Sequence, residues 1–416
     1  MKKPFKRTLL SASLGLSLAL INLPASASQD ESSEDAKWDV SKPMGNVKTV
    51  TINTDESTWS NLDVHPDGKS IIFDMLGDIY TMPISGGEAS PLLKGFEWNM
   101  QATYSPDGSK IAFLSDRDGI MNVWTMNADG SDLKQISKES GNTIHTPSWS
   151  PDGQYIAVTR GVMSSRSIAA GEIWIYHHTG GSGTKIKSGS HGAFNQKNIT
   201  DPKFSPDGKY IYYTQDVTGG RVWQYNKNAT TELFNIIRHD LTTGEEERYI
   251  GGAGGAVIPT PSPDGKYMAY LKREDAKTVL YIKDLKSGID KRLYTEMERD
   301  NQETFGTEGN YAYFDWTPDS ENIVFWTGGK FHSIDIDDKA IKTIEFSVNV
   351  EKQVQQAVKF NVDVAPDKLK VKQTRWATMS PKGDKIVYQA LGKLYIRDVK
   401  SGKTKRLTSQ NSHDEF

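Results

Sequence analysis

The stretch YSPDGSKIAFLSDRDG, residues 104–119, places Pro-Asp-Gly between two runs that read as β-strands. Proline fixes φ at the start of a turn, and Asp-Gly supplies the side-chain hydrogen bond and the positive φ that a tight hairpin requires. Nearly the same words return as WSPDGQYIAV (149–158), FSPDGKYIYY (204–213) and PSPDGKYMAY (261–270). A phrase that recurs in one chain predicts a repeated structural unit before it predicts an active site.

The turn proline recurs seven times, at intervals of 40 to 63 residues, as Pro66, Pro106, Pro151, Pro206, Pro263, Pro318 and Pro381. Each unit has one strand before the turn and three after it, and these strands are rich in β-branched and aromatic residues. Four antiparallel strands per repeat predict an all-β chain that forms a β-propeller of about seven blades, in a complete or an incomplete ring. Series of β-sandwiches or a β-solenoid are the alternatives, and the hairpin turns favour the propeller.

The N-terminus has the three parts of a secretory signal peptide. Four basic residues precede the apolar run LLSASLGLSLALINL (9–23), and the small residues ASA (25–27) follow it. The run is short for a bilayer span, so we expect cleavage after Ala27 rather than a membrane anchor. The prediction is a signal peptide over residues 1–27, a flexible acidic leader over residues 28–46, and a periplasmic or secreted protein.

The composition of the 416 residues narrows the class of partner. The formal net charge is -3 and there is no cysteine. A nucleic-acid partner usually requires a basic stripe, so the charge argues against one. No second apolar stretch approaches the length of a membrane span. We therefore expect a peptide-like ligand, a small molecule or another envelope protein as the partner.

Two segments depart from the repeat that covers residues 47–416. The apolar residues within 347–370 fall at helical spacing and predict a short helix outside the propeller, with a docking element as the alternative. VKTVTINTDESTW (47–59) and KRLTSQNSHDEF (405–416) both resemble a fourth strand followed by the start of a new unit. Either the first of them completes the last blade, or the chain is truncated at its C-terminus, which is the interpretation we favour.

Candidate binding residues come from the loops between second and third strands, where the repeat length varies. Binding residues collect on loops of a rigid scaffold. Charged residues in and near these loops predict a polar funnel for a peptide or a small acid, and solvated ion pairs are the alternative. The candidates are Asp116, Arg117, Arg160, Arg166 and Arg221.

Catalytic signatures are missing from the sequence. It contains no His-x-His or HExxH metal motif and no GxSxG nucleophile elbow, and its eight histidines are scattered. We therefore predict no catalytic residue, no metal ligand and no cofactor in this chain.

The repeats between residues 60 and 408 resemble the propellers of the TolB-type family. A narrower resemblance is to the N-terminal propeller region of large exported bacterial amidohydrolase-family proteins. It rests on residues 57–89, 166–177, 259–273, 299–304 and 315–330. That resemblance implies a C-terminal barrel, not contained in this chain, that uses zinc or a similar divalent metal to hydrolyse amide or other C–N bonds. No catalytic residue can be carried over.

Three functions follow from these observations. The first is a substrate-gating or docking propeller of an exported amidohydrolase. The second is a stand-alone TolB-like module that binds another envelope protein. The third is the propeller of a serine peptidase.

Overall fold

The computed structural model describes residues 39–163, 169–192, 195–219, 232–299, 311–357 and 359–416. These residues form strands, turns and loops and contain no helix. They divide into two compact units, of which the first ends at Gln356 and the second covers Ala357–Phe416. The predicted signal peptide and most of the predicted leader lie outside the described residues.

Each repeat folds as the Pro-Asp-Gly turn predicts. In the second repeat, Ser105 Oγ donates to Asp107 Oδ1 over 2.6 Å, and Lys110 N–H donates to Ser105 Oγ over 2.9 Å. Gly108 has a φ of 71°, in the left-handed region that glycine tolerates. The turn therefore satisfies its own polar groups and joins the first strand to the second as a hairpin.

The described residues of the first unit contain 29 strands. Its first half has Val47–Thr54 (β1), Leu62–Val64 (β2), Ser70–Met75 (β3), Asp78–Pro83 (β4), Gly87–Glu88 (β5), Ser90–Leu93 (β6), Asn99–Tyr104 (β7), Lys110–Ser115 (β8), Asn122–Asn127 (β9), Lys134–Gln135 (β10), Thr143–Trp149 (β11), Tyr155–Met163 (β12), Ala169–His177 (β13) and Thr184–Lys187 (β14). Its second half has Ser190–Gly192 (β15), Asn195–Lys197 (β16), Ile199–Phe204 (β17), Tyr210–Asp216 (β18), Phe234–Asp240 (β19), Glu246–Ile250 (β20), Val257–Pro261 (β21), Tyr267–Glu274 (β22), Lys277–Asp284 (β23), Asp290–Arg299 (β24), Asp315–Trp316 (β25), Asn322–Thr327 (β26), Lys330–Asp335 (β27), Ile341–Ile344 (β28) and Phe346–Gln355 (β29).

Six four-stranded antiparallel sheets, called blades 1 to 6 here, account for most of these strands. In order they are β2-β3-β4-β6, β7-β8-β9-β10, β11-β12-β13-β14, β17-β18-β19-β20, β21-β22-β23-β24 and β25-β26-β27-β28. The strands β15 and β16 form a separate pair between blades 3 and 4. The predicted all-β fold with four-stranded antiparallel blades is confirmed.

Hydrogen bonds between innermost strands join the blades into a ring. Trp149 Nε1–H of blade 3 donates to the Thr103 carbonyl of blade 2 over 3.2 Å, and Trp316 Nε1–H of blade 6 donates to the Thr260 carbonyl of blade 5 over 2.9 Å. Leu62 N–H of blade 1 donates to the Tyr313 carbonyl, which directly precedes blade 6. Blade 1 therefore meets blade 6, and six blades close the ring of the first unit.

The core lies between neighbouring blades. Phe73 of blade 1 contacts Phe331 of blade 6, with ring centres 4.8 Å apart, and both side chains are fully buried. Burying an aromatic side chain of this size contributes about 1.5 to 3 kcal/mol. Because each blade covers the apolar face of the next, no single blade has to be stable alone.

The described residues within 347–370, where a helix was predicted, contain no helix, and those up to Gln355 belong to strand β29. It pairs with β1 in antiparallel register, from Val47 opposite Gln355 to Thr54 opposite Val348, and with β5 in parallel. Phe346 and Val348 are buried while Ser347 and Asn349 are exposed, which is the two-residue period of a strand. The prediction of a helix was wrong because it followed the apolar spacing after Val350 and overlooked this alternation.

The alternative in which the N-terminal strand completes the last blade does not hold. The strand β1 joins β29 and β5 in a three-stranded sheet outside the blades. A salt bridge from Lys352 Nζ to Asp78 Oδ2, 2.6 Å long, attaches this sheet to blade 1. The paired β1 and β29, called the ribbon below, therefore belong to the first unit as a separate element.

The second unit contains the seventh four-stranded antiparallel sheet. Its strands are Arg375–Met379 (β30), Lys385–Ala390 (β31), Lys393–Asp398 (β32) and Thr404–Arg406 (β33). The last residues fold back on this sheet, since Leu394 N–H donates to the carboxylate of Glu415 over 3.0 Å.

Candidate functional site

A cavity of about 380 Å³ lies on the axis of the six-bladed ring, because residues from all six blades line it. It is on the face of the ring that carries the Pro-Asp-Gly turns. Its prolines are Pro66, Pro106, Pro151, Pro206, Pro261, Pro263 and Pro318. Its aromatic side chains are Tyr104, Trp149, Phe204 and Trp316. The mouth of the cavity is therefore a collar of proline turns, and its walls combine aromatic with polar side chains.

Ionised aspartates surround this collar. The hydrogen bond from Ser105 holds the pKa of Asp107 below its usual value, and the hydrogen bond from Ser150 does the same for Asp152. These carboxylates are used inside their own turns, because each also accepts a backbone N–H two residues further on. Their first role is therefore to shape the turns.

Five polar residues of the cavity, including all its charged ones, come from one position in the repeat, three residues before the turn proline. In blades 1 to 6 that position holds Asp63, Thr103, Ser148, Lys203, Thr260 and Asp315. Five of the six line the cavity, and Thr260 is the exception. Four repeats of the whole chain have a hydroxyl residue there and three have a charged one, so the charged residues are departures from the pattern of the repeat.

Asp63 and Asp315 form a carboxyl pair in the cavity. Tyr104 N–H donates to Asp63 Oδ2 over 2.7 Å, and Val64 N–H donates to Asp315 Oδ2 over 3.0 Å. The two side chains also hydrogen-bond to each other. Burial and the charge of Asp315 raise the pKa of Asp63 well above its usual value, and burial also raises the pKa of Asp315. The pair is therefore arranged to share one proton.

Lys203 is the third charged residue that lines the cavity. Its Nζ lies 5.7 Å from the centre of the Tyr313 ring, in a cation–π arrangement. Its positive charge counteracts the rise in the pKa values of Asp63 and Asp315. Within the part of the chain that the structure describes, Lys203 forms no ion pair shorter than 4.0 Å.

Tyr313 crosses the axis. It precedes blade 6, and its hydroxyl donates to Asp201 Oδ1 of blade 4 over 2.6 Å and also bonds with Thr146 of blade 3. Blade 3 stands opposite blade 6 in a ring of six. Asp201 is 1% exposed, and burial raises its pKa. The tyrosine therefore lies across the ring beside Lys203.

This tyrosine belongs to a closed circuit of hydrogen bonds around the axis. The circuit runs through Asn61, Asp74, Gln101, Thr146, Thr159, Thr200, Asp201, Tyr313 and back to Asn61. Gln101, Thr146 and Asp201 have positive φ values at β-bulges of the innermost strands. A bulge re-aims a side chain, which here places these residues in the circuit.

Two of the residues predicted for a polar funnel, Asp116 and Arg117, lie after strand β8 of blade 2. Asp116 Oδ1 accepts the Trp98 N–H over 2.7 Å. The guanidinium of Arg117 is 3.4 Å from a Glu97 carboxylate oxygen and stacks 5.0 Å from the Trp124 ring centre. Both side chains are thus engaged within the first two blades, and neither lines the axial cavity.

Arg160 is held in the same manner in blade 3. Its Nε lies 3.0 Å from Glu139, its guanidinium is 4.5 Å from the Trp174 ring centre, and Trp174 Nε1–H donates to Glu172. Arg166 and Arg221 lie outside the described residues. Neither Arg117 nor Arg160 lines the cavity with Asp63, so a binding role for the predicted funnel residues stays a prediction.

Sequence reasoning missed Asp63, Lys203 and Asp315. The available signal was the position three residues before the turn proline, where these charges replace threonine or serine. That signal becomes clear only when the repeats are aligned on the proline and the position is known to face the axis.

The described residues contain no group of three or more histidine, aspartate or glutamate side chains that could hold a metal ion. No helix among them has the length and apolar character needed to cross a membrane.

Comparison with protein families identifies the repeat. A model described as TolB beta propeller domain, PD40, matches residues 63–182. Tricorn protease homolog 1 of Streptomyces coelicolor is 26% identical over 280 residues, which are 65% of this chain and 23% of the relative. The chain spans between 23% and 31% of the length of the first curated relatives that it matches.

Solved structures agree on the fold. TolB from Acinetobacter baumannii has a TM-score of 0.51 at 16% identity, over 71% of this chain and 66% of that one. The tricorn protease has a TM-score of 0.50 at 16% identity, over 87% of this chain and 36% of that one. At this level of identity the likeness concerns the fold alone. Together with the repeat match and the closed ring, these findings identify the first unit of the chain as a TolB-like β-propeller.

Proposed function

We propose that this propeller is the non-catalytic docking and gating module of an exported enzyme that hydrolyses amide or other C–N bonds. The observation that carries the proposal is the axial cavity, a proline-rimmed site in which aromatic side chains meet convergent polar groups. Such a cavity is the usual form of a ligand site. The proposed role is to hold one end of a peptide-like substrate near a catalytic domain.

Two resemblances support an amide-hydrolysing parent. The likeness to a tricorn protease homolog favours a peptidase. The sequence resemblance to exported amidohydrolase-family proteins favours a metal-dependent barrel, which would hold zinc or a similar divalent ion. In both versions the chemistry belongs to the catalytic domain, and the residues of this chain bind and orient the substrate.

The test uses the whole chain with short peptides that carry a photoreactive group. We expect no hydrolysis of the peptides, with or without added Zn²⁺, and saturable crosslinking. Mass spectrometry of the crosslinked chain is expected to place the label at the mouth of the cavity, near Pro106, Trp149 and Pro206. The funnel residues Arg117 and Arg160 serve as the comparison site on the chain.

Three results would contradict this proposal. Turnover by the chain alone would reveal a catalytic site in it. Labels at Arg117 or Arg160, with none at the collar, would show that the peptides dock at the predicted funnel residues and not at the cavity. Absence of saturable crosslinking would remove the docking role.

A further inference from the structure

The axial cavity has an excess of carboxyl groups. Within the described residues, its charged lining consists of Asp63, Asp315 and Lys203. Each carboxyl uses one oxygen to accept a backbone N–H from a strand of a neighbouring blade. An ionised carboxylate can accept about four hydrogen bonds, so the pair keeps acceptor capacity toward the cavity. Two carboxyls against one ammonium favour a cationic ligand over an anionic one.

Lys203 does not neutralise the pair directly. Its ammonium lies over the face of Tyr313 and forms no ion pair with the residues that the structure describes. Burial raises the pKa values of both Asp63 and Asp315, which favours retention of a proton on the pair. A proton in this position is readily replaced by a second cation, because an added positive charge favours the ionised form of both carboxyls.

We infer that this cavity binds the cationic amine at the end of a peptide, with the ammonium group between Asp63 and Asp315. The inference rests on the proposed docking function and names the group that is recognised. The aromatic residues in the lining, Tyr104, Trp149 and Phe204, suit the adjoining part of such a ligand, and Tyr104 borders the carboxyl pair.

The tyrosine that crosses the axis limits how far a ligand can enter. Tyr313 crosses the axis and is bonded to the buried Asp201 over 2.6 Å. A chain that enters through the collar therefore meets this tyrosine and stops. The terminal group reaches the carboxyl pair, and the rest of the peptide leaves through the mouth by which it entered.

Binding is coupled to proton release. The ammonium enters, the shared proton leaves to solvent, and both carboxyls are then ionised. Affinity therefore rises with pH while the pair is still protonated. The other titratable groups around the pair are Lys203, Tyr104, whose pKa burial raises, Asp201, which is bonded to Tyr313, and His65, which directly follows strand β2.

Isothermal titration of the whole chain tests the inference with three probes. They are trialanine amide with a free α-ammonium, its N-acetylated form, and N-acetyl-lysine amide. We expect the first to bind roughly tenfold or more tightly than the second, because a hydrogen-bonded charge is lost on acetylation. The third probe distinguishes a terminal ammonium from a lysine side chain. Titration at pH 6 in two buffers of different ionisation enthalpy is expected to reveal release of protons.

Variants with opposite expected effects separate recognition from folding. The double variant Asp63→Asn with Asp315→Asn keeps the acceptors for the two N–H groups. It is expected to weaken the binding of trialanine amide roughly tenfold or more and to abolish proton release. Lys203→Met removes a competing positive charge and is expected to strengthen the binding of trialanine amide. Glu88→Gln, an exposed carboxylate outside the cavity, is the control and should leave binding unchanged. Melting temperatures of all variants verify that they fold.

The outcomes are distinguishable. If the acetylated and free peptides bind equally, or if the Asp63 and Asp315 variant binds as the wild type does, the cationic site is refuted and the docking function stands. If Lys203→Met weakens the ammonium probe, the proposed charge balance is wrong. If none of the probes binds and crosslinking is also absent, both the inference and the docking function fail.

Discussion

At the scale of single residues, burial decides the behaviour of the axial carboxyl groups. Asp74 lies in the hydrogen-bond circuit, where it accepts from Asn61 and from Gln101 N–H, and it is 7% exposed. Burial nevertheless raises its pKa to about 6. The aspartates of the turns have lowered pKa values because they lie at the surface and accept short hydrogen bonds. Aspartate thus has a raised pKa in the buried circuit and a lowered pKa in the surface turns.

The raised pKa of Asp74 predicts a pH dependence of stability. The folded chain binds this proton more tightly than the unfolded chain, whose aspartate titrates near 3.8. The free energy of unfolding therefore decreases as the pH rises from about 4 to about 6, by at most about 3 kcal/mol from this group. Asp74→Asn is expected to remove that part of the slope.

Urea unfolding of both proteins at pH 4.5 and pH 7.5 measures the difference. Because other buried groups titrate equally in both proteins, the comparison isolates Asp74. Identical pH dependence in the wild type and the variant would show that Asp74 keeps an ordinary pKa in the folded chain.

A second prediction concerns Gly171 in strand β13. A Cβ atom added there would lie 1.8 Å from the carbonyl oxygen of Ile199 in the neighbouring blade. Because a backbone atom cannot yield as a flexible side chain can, Gly171→Ala is expected to destabilise the first unit by about 2 to 3 kcal/mol. Gly141→Ala is the matched control, since a Cβ there meets nothing within 4 Å. Denaturant unfolding measures both, and equal stabilities would contradict the close approach of blades 3 and 4.

At the scale of elements, a buried ion pair reinforces the attachment of the ribbon, which also pairs with β5. Asp78 is 1% exposed and accepts from Lys352 of β29 over 2.6 Å and from Gly95 N–H over 3.2 Å. Burial raises the pKa of Asp78 in spite of this partner. The buried Asp78 carboxylate of blade 1 therefore has its counter-ion, Lys352, in the ribbon, and the same ion pair holds the ribbon against blade 1.

Lys352→Met is expected to destabilise the first unit by about 3 to 5 kcal/mol at neutral pH, because it leaves the Asp78 carboxylate buried without its partner. Adding Asp78→Asn should restore much of the loss. Lys48→Met, in the exposed part of β1, is the control and should change little. Denaturant unfolding gives the energies, and hydrogen exchange of residues 47–54 reports release of the ribbon. Equal stability of the Lys352 and Lys48 variants would rule out this anchor.

The elements also mark how far the sequence could be interpreted. The turns and blade strands were predictable because Pro-Asp-Gly and the two-residue alternation act locally. The ribbon was not, since pairing of Val47 with Gln355 brings together residues far apart in the chain. The axial site was hidden for the same reason. Nothing adjacent to Asp63 in sequence reveals that Lys203 and Asp315 lie in the same cavity.

At the scale of the whole molecule, ring closure is complete with six blades. The contacts of blade 1 with the residues around Tyr313 and Asp315 leave no gap for a seventh sheet within the first unit. Seven repeats were visible in the sequence, but their spacing does not state which of them share a ring. That information lies in the contacts between the first and the sixth repeat.

A closed ring predicts independent, cooperative folding of the first unit. A chain that ends at Gln356 is expected to unfold in one transition, with tryptophan fluorescence and far-ultraviolet circular dichroism coincident, because every blade covers its two neighbours. The full chain, compared under the same conditions, identifies the signal of the second unit. Separate transitions for the two probes, or a shortened chain that fails to fold, would contradict closure by six blades.

The tyrosine that spans the ring has one more consequence. A propeller with an open central channel allows a molecule to pass from one face to the other, whereas Tyr313 blocks the axis of this one. Whatever enters must withdraw backwards, so the time an occupant stays is set at the entrance alone. Such a site is suited to holding the end of a peptide while a reaction takes place at another site, and it is not suited to passing molecules through the ring.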